Sequence, residues 1–313
     1  MNATVRHKGY FAQTRIYLGK LLRMFIYQND WKFLIAAAVI TAAVTYVVGA
    51  NLFVTQEGTI TGAFALVCAC IWNGVFNSIQ AVCRERSIVK REHRSGLRIS
   101  AYITAHMIYQ LMLCVCQTAI TLVICHTAGV QIPAEGVITR WGLLDLGITI
   151  LLIIYASDMM GLMISSLVRD TTTAMTVMPF MLIIQLIFSG AFFDLSGFAK
   201  KLSLLTVSHW GMNGICAVGR YNDQPMVTLW NTVFKFRNAE FMGYRPLLEI
   251  IKKVESSGYR DTFLLWSGTY NRNEAYASTA ENLLRNWGGI AAILLVCAGA
   301  AFVSLCFIDR DRR

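Results

Sequence analysis

Six apolar runs of more than twenty residues recur along this chain, almost free of charge. "FLIAAAVITAAVTYVVGANLFV" (33–54) and "ITGAFALVCACIWNGVFNSIQAV" (60–82) come first, followed by 99–126, 142–168 and 172–193. "WGGIAAILLVCAGAAFVSLCFI" (287–308) closes the series. A helix needs about 20 apolar residues to cross a bilayer core. In lipid, a spanning backbone satisfies its polar groups only as a helix or a closed barrel. The expected fold class is therefore an all-α polytopic membrane protein with six transmembrane helices. Short strands stay open in the long segment before the last run.

Charge sets the orientation. Only 15% of residues are charged, against about a quarter in soluble domains. The formal net charge of +10 would suit nucleic acid in a soluble basic domain. Between uncharged runs it reads as topological, and no nucleic-acid partner is expected. Lys and Arg mark the cytoplasmic loops. Residues 1–32 hold six, 83–98 hold six and the tail "DRDRR" holds three, while 55–59 and 127–141 offer only Arg140. Both termini and the 83–98 loop are thus expected in the cytoplasm, with a multi-pass chain in the plasma membrane. The long segment 194–286 is expected outside.

Ahead of the first run, Phe11, Leu18, Leu21, Leu22 and Phe25 recur at near-helical spacing, with Arg15, Lys20 and Arg23 largely elsewhere. This predicts an amphipathic helix on the inner leaflet within 1–32. The plainer alternative is a basic flank anchoring the first span. The nine cysteines sit in or beside apolar runs, with no CxxC pair. They read as small buried hydrophobes rather than zinc ligands or a disulfide framework.

The segment "RERSIVKREHRSGLRISAY" between the second and third runs resembles a conserved-order pattern of the G-subfamily of ABC exporter permeases, the white and breast-cancer-resistance-like group. The matching positions are Glu85-Arg86, Arg91-Glu92, Ser95-Gly96 and Tyr102. "FSGAFFDLSGFAKKLSLLTVSHWGMNGICAV" (188–218) looks like that family's exit from the fifth span into two short outer re-entrant helices, at 194–221. "ASDMMGLMISSLVRDTTTAM" (156–175) looks like its tight turn between spans four and five. The resemblance covers about 10–218 and the final span.

What it implies is an ATP-driven exporter permease. A dimer of this chain, or of this chain and a paralogous permease, would act with two copies of an ABC ATPase subunit. ATP and Mg would lie on that partner, with no cofactor or metal on this chain. No GxxxxGK[ST] phosphate loop occurs. Members in animals often brace the last outer loop with disulfides, and here that loop holds no Cys. Both departures fit a stand-alone subunit of a bacterial inner membrane. The insert, 222–286, is rich in aromatics such as Trp230, Phe234, Tyr259 and Trp266, which predicts a folded lid on the outer side, followed by the last span and its cytoplasmic tail (287–313).

The resemblance also distributes roles. Residues 84–98, between spans within 33–193, become the coupling helix, with Glu85, Arg86, Arg91, Glu92 and His93 facing the ATPase and Gly96 breaking the helix. The alternative is a purely topogenic loop. On the second span Asn73, Phe76, Asn77 and Gln80 form a polar-aromatic stripe. With Pro179 and Ile183 of the fifth span they become the substrate cavity on the dimer axis, and Phe192 its outer plug. A mostly apolar cavity with a few amides suits amphipathic, lipid-like or peptide-like cargo. Interhelical hydrogen bonding is the plain alternative for the amides.

Two other function classes stay open. Asp158 lies mid-run, and an ionisable residue in a membrane invites a proton- or ion-coupled transporter or channel. Helix packing is the plainer reading. Asp145 lies thirteen residues earlier, about 20 Å along a helix, too far for a catalytic pair. His106 and His126 are too distant to share a metal. An intramembrane serine protease using Ser189 and His209 is the remote alternative.

Overall fold

The computed structural model describes residues 9–27, 31–191, 193, 195–240 and 244–307. Within them the fold is helical, without strands. The helices are α1 (Tyr10–Tyr27), α2 (Lys32–Val48), α3 (Gln56–Ser78), α4 (Arg86–Arg94), α5 (Ile99–Thr127), α6 (Gly142–Leu167) and α7 (Thr171–Ile187). They continue with α8 (Gly197–Ser203), α9 (Val207–Val218), α10 (Thr228–Lys235), α11 (Pro246–Ser256), α12 (Arg260–Gly268) and α13 (Ala280–Cys306). Five helical segments are long and apolar enough to cross a membrane. These are the ones built on α2, α3 (running on into α4), α5, α6 and α13. The fifth apolar run forms α7, which at 17 residues is shorter.

Short polar side chains start the helices where the apolar pattern alone is silent. Thr55 accepts from the Gly58 N–H at the start of α3, and Thr279 from Asn282 at the start of α13. Each satisfies an orphan donor of the first turn. The last helix therefore begins at Ala280, inside the expected insert, rather than with the apolar residues at Trp287. Asn282 reinforces this start by donating to Ala275 O and Ala277 O, both at 2.9 Å. Asp170 caps α7, accepting from Thr173 N at 2.7 Å and from Thr173 Oγ1 at 2.9 Å. These bonds hold the Asp170 carboxyl below the ordinary carboxylate range.

α6 is the axis of the bundle, packed by α3, α13, α5 and α9. Its contact with α3 is built on small residues. Gly74 of α3 lies where an added Cβ would come within 2.2 Å of Ile154 O. Gly161 of α6 faces Ser78 Oγ and Val75 O in the same way, at 2.6 and 2.8 Å. One step further, Ser165 Oγ accepts from Val82 N at 3.0 Å and from Cys83 N at 3.1 Å. Gly74 and Ser78 on α3 thus meet Ser157 and Gly161 on α6, each pair at i, i+4 spacing, with Ser165 one step further on. Small residues at this spacing let membrane helices approach closely.

α1 forms as the periodicity predicts, but the face it packs on α5 is Thr14, Tyr17 and Leu21. Phe11, Leu22 and Ile26 stay exposed. The side chain of Gln13 clamps the turn before α5. It donates to Gly96 O at 3.2 Å and accepts from Arg98 N at 2.9 Å. Gly96 stands at φ +101, a conformation that favours glycine, and here the charged helix ends.

Candidate functional site

The charged segment sits at one end of the bundle, and its residues divide between anchoring and display. Glu85 is buried and pairs with Lys20 of α1 at 3.1 Å. Arg86 Nη1 donates to Ser166 O at 2.7 Å and Val168 O at 3.0 Å, so a guanidinium caps the carbonyl end of α6. Cations are favoured there. His93 Nδ1–H donates to Leu97 O at 2.9 Å, closing the end of α4. Val89 is fully buried. Glu92 is half-buried, and its Oε2 has no hydrogen-bond partner. Ser87, Ile88, Arg91 and Arg94 are exposed. The short helix is thereby tied to α1 and α6, and presents a basic face with one apolar residue.

The stripe on α3 is partly consumed within the chain. Asn73 donates to Thr41 Oγ1 at 3.0 Å, and Asn77 exchanges two 2.9 Å bonds with Gln117 of α5. These are the interhelical bonds of the plainer alternative. Phe76 is half-buried, stacked on Trp72 with centroids 6.4 Å apart, and meets Phe33 edge-on at 5.8 Å. Pro179 and Ile183 are exposed on α7. Neither lines the two cavities that Phe76 borders. Phe192 lies outside the described residues.

One of those cavities is a chamber of about 120 Å³ at the charged end, lined from α1, α2, α3, α5 and α7. Asn77, Gln80, Arg84, Glu85, His106 and Gln110 give it a polar side. Neither ring nitrogen of His106 has a hydrogen-bond partner, nor has Gln110 Oε1. The other is a groove of about 230 Å³ between α2 and α3, lined by Ala36, Ala37, Ile40 and Trp72 among others. The sequence held a signal for the chamber: His106, Gln110 and Gln117 fall on one face of an otherwise apolar helix.

The remaining candidates have structural partners. Asp145 is fully buried and accepts from Val137 N at 2.6 Å, Ile138 N at 2.9 Å and Thr139 N at 3.0 Å. It folds the loop before α6 around one carboxylate. Asp158 is also fully buried, and its Oδ2 accepts from Cys114 Sγ at 3.4 Å. Ser189 Oγ donates to Leu186 O at 2.8 Å, and the His209 ring edges Trp210 and pairs with Asn213 at 3.4 Å. The pair does not form a nucleophile and its base.

At the opposite end, the first turn of α3 holds the segment that follows α9. The Glu57 carboxylate accepts from Val227 N at 3.0 Å and Thr228 N at 2.7 Å, at the start of α10. Gln56 N donates to Pro225 O at 3.1 Å, and its side chain donates to Gly268 O at 3.0 Å. Thr59 donates to Gln224. Trp230 packs edge-on against Phe263 at 5.6 Å. Glu57→Ala removes the carboxylate from two backbone donors. Limited proteolysis of the purified chain is expected to cut the 222–279 region several times faster in this variant, while Glu57→Gln retains part of the protection. Equal cutting rates in all three proteins would remove Glu57 as the clasp.

The family model described as ABC-2 type transporter matches residues 21–218, from the middle of α1 to the end of α9. An ABC transporter ATP-binding/permease protein of Mycobacterium tuberculosis is 28% identical over 144 residues, covering 45% of this chain. The match spans 16% of that protein's length.

Proposed function

Because this chain belongs to the ABC-2 type transporter family, we propose that it is the permease subunit of an ATP-driven exporter of the G-subfamily kind, in a bacterial inner membrane. Its family makes it a membrane component of an ABC transporter, and the printed name of the mycobacterial relative joins an ATP-binding part to a permease part. In this reading two copies of a separate ATPase subunit bind ATP and Mg, and this chain hydrolyses nothing. It pairs with a second copy or a paralogue, both termini cytoplasmic. α7, the fifth span in chain order, brings the crossings to six, and α8 and α9 are the outer re-entrant pair. The insert forms the outer lid. Pro179 and Ile183, exposed on α7, face the dimer axis with Phe76, and the cargo is amphipathic, lipid-like or peptide-like.

The observation that carries this reading is the anchorage of α4. A loop that only fixes topology needs positive charge and nothing more. Here Glu85 ties the segment to α1, and Arg86 and the Val82–Cys83 backbone tie it to α6, the axis of the bundle. Ser87, Ile88 and Arg91 are exposed beside these ties. A force on α4 is therefore delivered to the whole bundle, as a coupling helix requires. Its basic face suits an acidic groove on the ATPase.

The test is Glu85→Ala and Glu92→Ala, singly and together, in the complex with its ATPase. ATP turnover is expected to persist while transport falls about tenfold or more, as when about 1.4 kcal/mol of coupling is lost. Transport and turnover both at wild-type level would leave the segment topogenic and end the coupling claim.

A further inference from the structure

The chamber at the charged end and the groove between α2 and α3 share three residues, Phe33, Phe76 and Asn77. The two adjoin across that wall, where Phe33 meets Phe76 edge-on at 5.8 Å, and they differ in chemistry. The polar floor of the chamber is deep: His106 is 3% exposed and Gln110 1%. A buried polar group without a partner is costly, at about 1–3 kcal/mol. His106 and Gln110 leave three such atoms together. A neutral imidazole offers one donor and one acceptor, and an amide oxygen accepts.

The groove is different. Ala36, Ala37, Ile40 and Trp72 line it with apolar surface, and the amide of Asn73 is already turned to Thr41. The chamber lining carries one charge of each sign, Arg84 and Glu85, and Glu85 pairs with Lys20 at 3.1 Å. The floor of His106 and Gln110 offers no carboxylate or ammonium to replace the hydration that a charged head would lose. Hydroxyl groups both donate and accept, which matches the floor atom for atom.

We propose that chamber and groove form one site for a single-chain amphiphile with an uncharged, hydroxyl-bearing head. The head pairs with His106 and Gln110, and the chain passes the Phe33–Phe76 contact to lie between α2 and α3. The site is built within one chain and holds whether or not the protein is an exporter.

The probe is a monoacylglycerol carrying a photoreactive diazirine on its acyl chain, added to the full-length protein in lipid nanodiscs. Attachment is expected on the α2 and α3 peptides containing Ala36 and Trp72, competed by unlabelled monoolein and not by hexadecane. His106→Phe with Gln110→Leu is expected to lower that labelling at least about tenfold, since a hydroxyl then faces apolar walls. Ala36→Phe, at a half-buried position, fills the groove and is expected to lower it similarly. It decides the matter should the double variant fail to fold. Two results would overturn the proposal: equal labelling by a headless diazirine alkane, or labelling unchanged in a folded variant. Either would make the recess an ordinary lipid contact over a water-filled chamber.

Discussion

Gly74→Leu is expected to abolish folded protein. Even a methyl group at position 74 would meet Ile154 O at 2.2 Å and Ser157 Cβ at 2.9 Å. The obstacle at Ile154 is backbone, so no rotamer change relieves it. Ordinary overpacking of a core costs about 1–3 kcal/mol. Here the cost is larger, because α3 and α6 must separate along the whole run that ends with Ser165 clasping the Val82 and Cys83 N–H groups. Gly161→Leu is expected to do the same from the other side, against Val75 O and Ser78 Oγ. Gly299 on α13 is the control, with open space where its Cβ would be. Gly299→Ala should leave the chain stable, since alanine is the better helix former. Size-exclusion profiles of detergent extracts and thermal unfolding measure all three. Normal profiles for both Gly74→Leu and Gly161→Leu would mean that the α3–α6 contact is not the close one described.

Asp145→Ala is the second large effect. The residue is wholly buried and collects three backbone N–H groups from 137–139. Hydrogen bonds to a charged group contribute about 1.5–3 kcal/mol each, so the expected destabilisation is on the order of 5 kcal/mol, comparable to the whole stability of many domains. Asp145→Asn keeps one acceptor oxygen of the same shape and should fall between. The melting temperature of the purified protein reports the series, and a fall of less than a few degrees for alanine would show that the loop finds other acceptors. The substitution acts on folding alone. A loss of transport at full folded yield would reopen a functional role for the carboxylate.

Much of the architecture could be read from the sequence because membrane helices announce themselves. A run of about twenty apolar residues suits a spanning helix, so α2, α3, α5, α6 and α13 were legible to within about seven residues at their ends. The edges were less so. α13 starts at Ala280 because Thr279 and Asn282 cap it, and caps are written in single polar residues rather than in hydropathy. The role of Asp145 was hidden for a related reason. Its partners are backbone N–H groups, which have no signature in side-chain identity. Lys20 is separated from Glu85 by sixty-five positions, and no local pattern joins them. The glycine and serine steps on α3 and α6 were visible as i, i+4 spacing, yet only the packing shows which small residues face each other. Asn73 and Asn77 carried a real signal of inward-facing polarity. The choice between cargo and neighbour depended on Thr41 and Gln117, which lie on other helices.

α3 begins at the clasp around Glu57 and its chain runs directly into the turn that carries Glu85. Its 23 residues make a rod of about 34 Å at 1.5 Å per residue. A tilt of about 5° at one end displaces the other by about 3 Å, the scale on which packed interfaces switch. With both ends fastened, linkage is reciprocal. If α4 docks the ATPase as proposed, anything that grips the 222–279 region and favours one tilt changes that docking by the same factor in affinity in each direction.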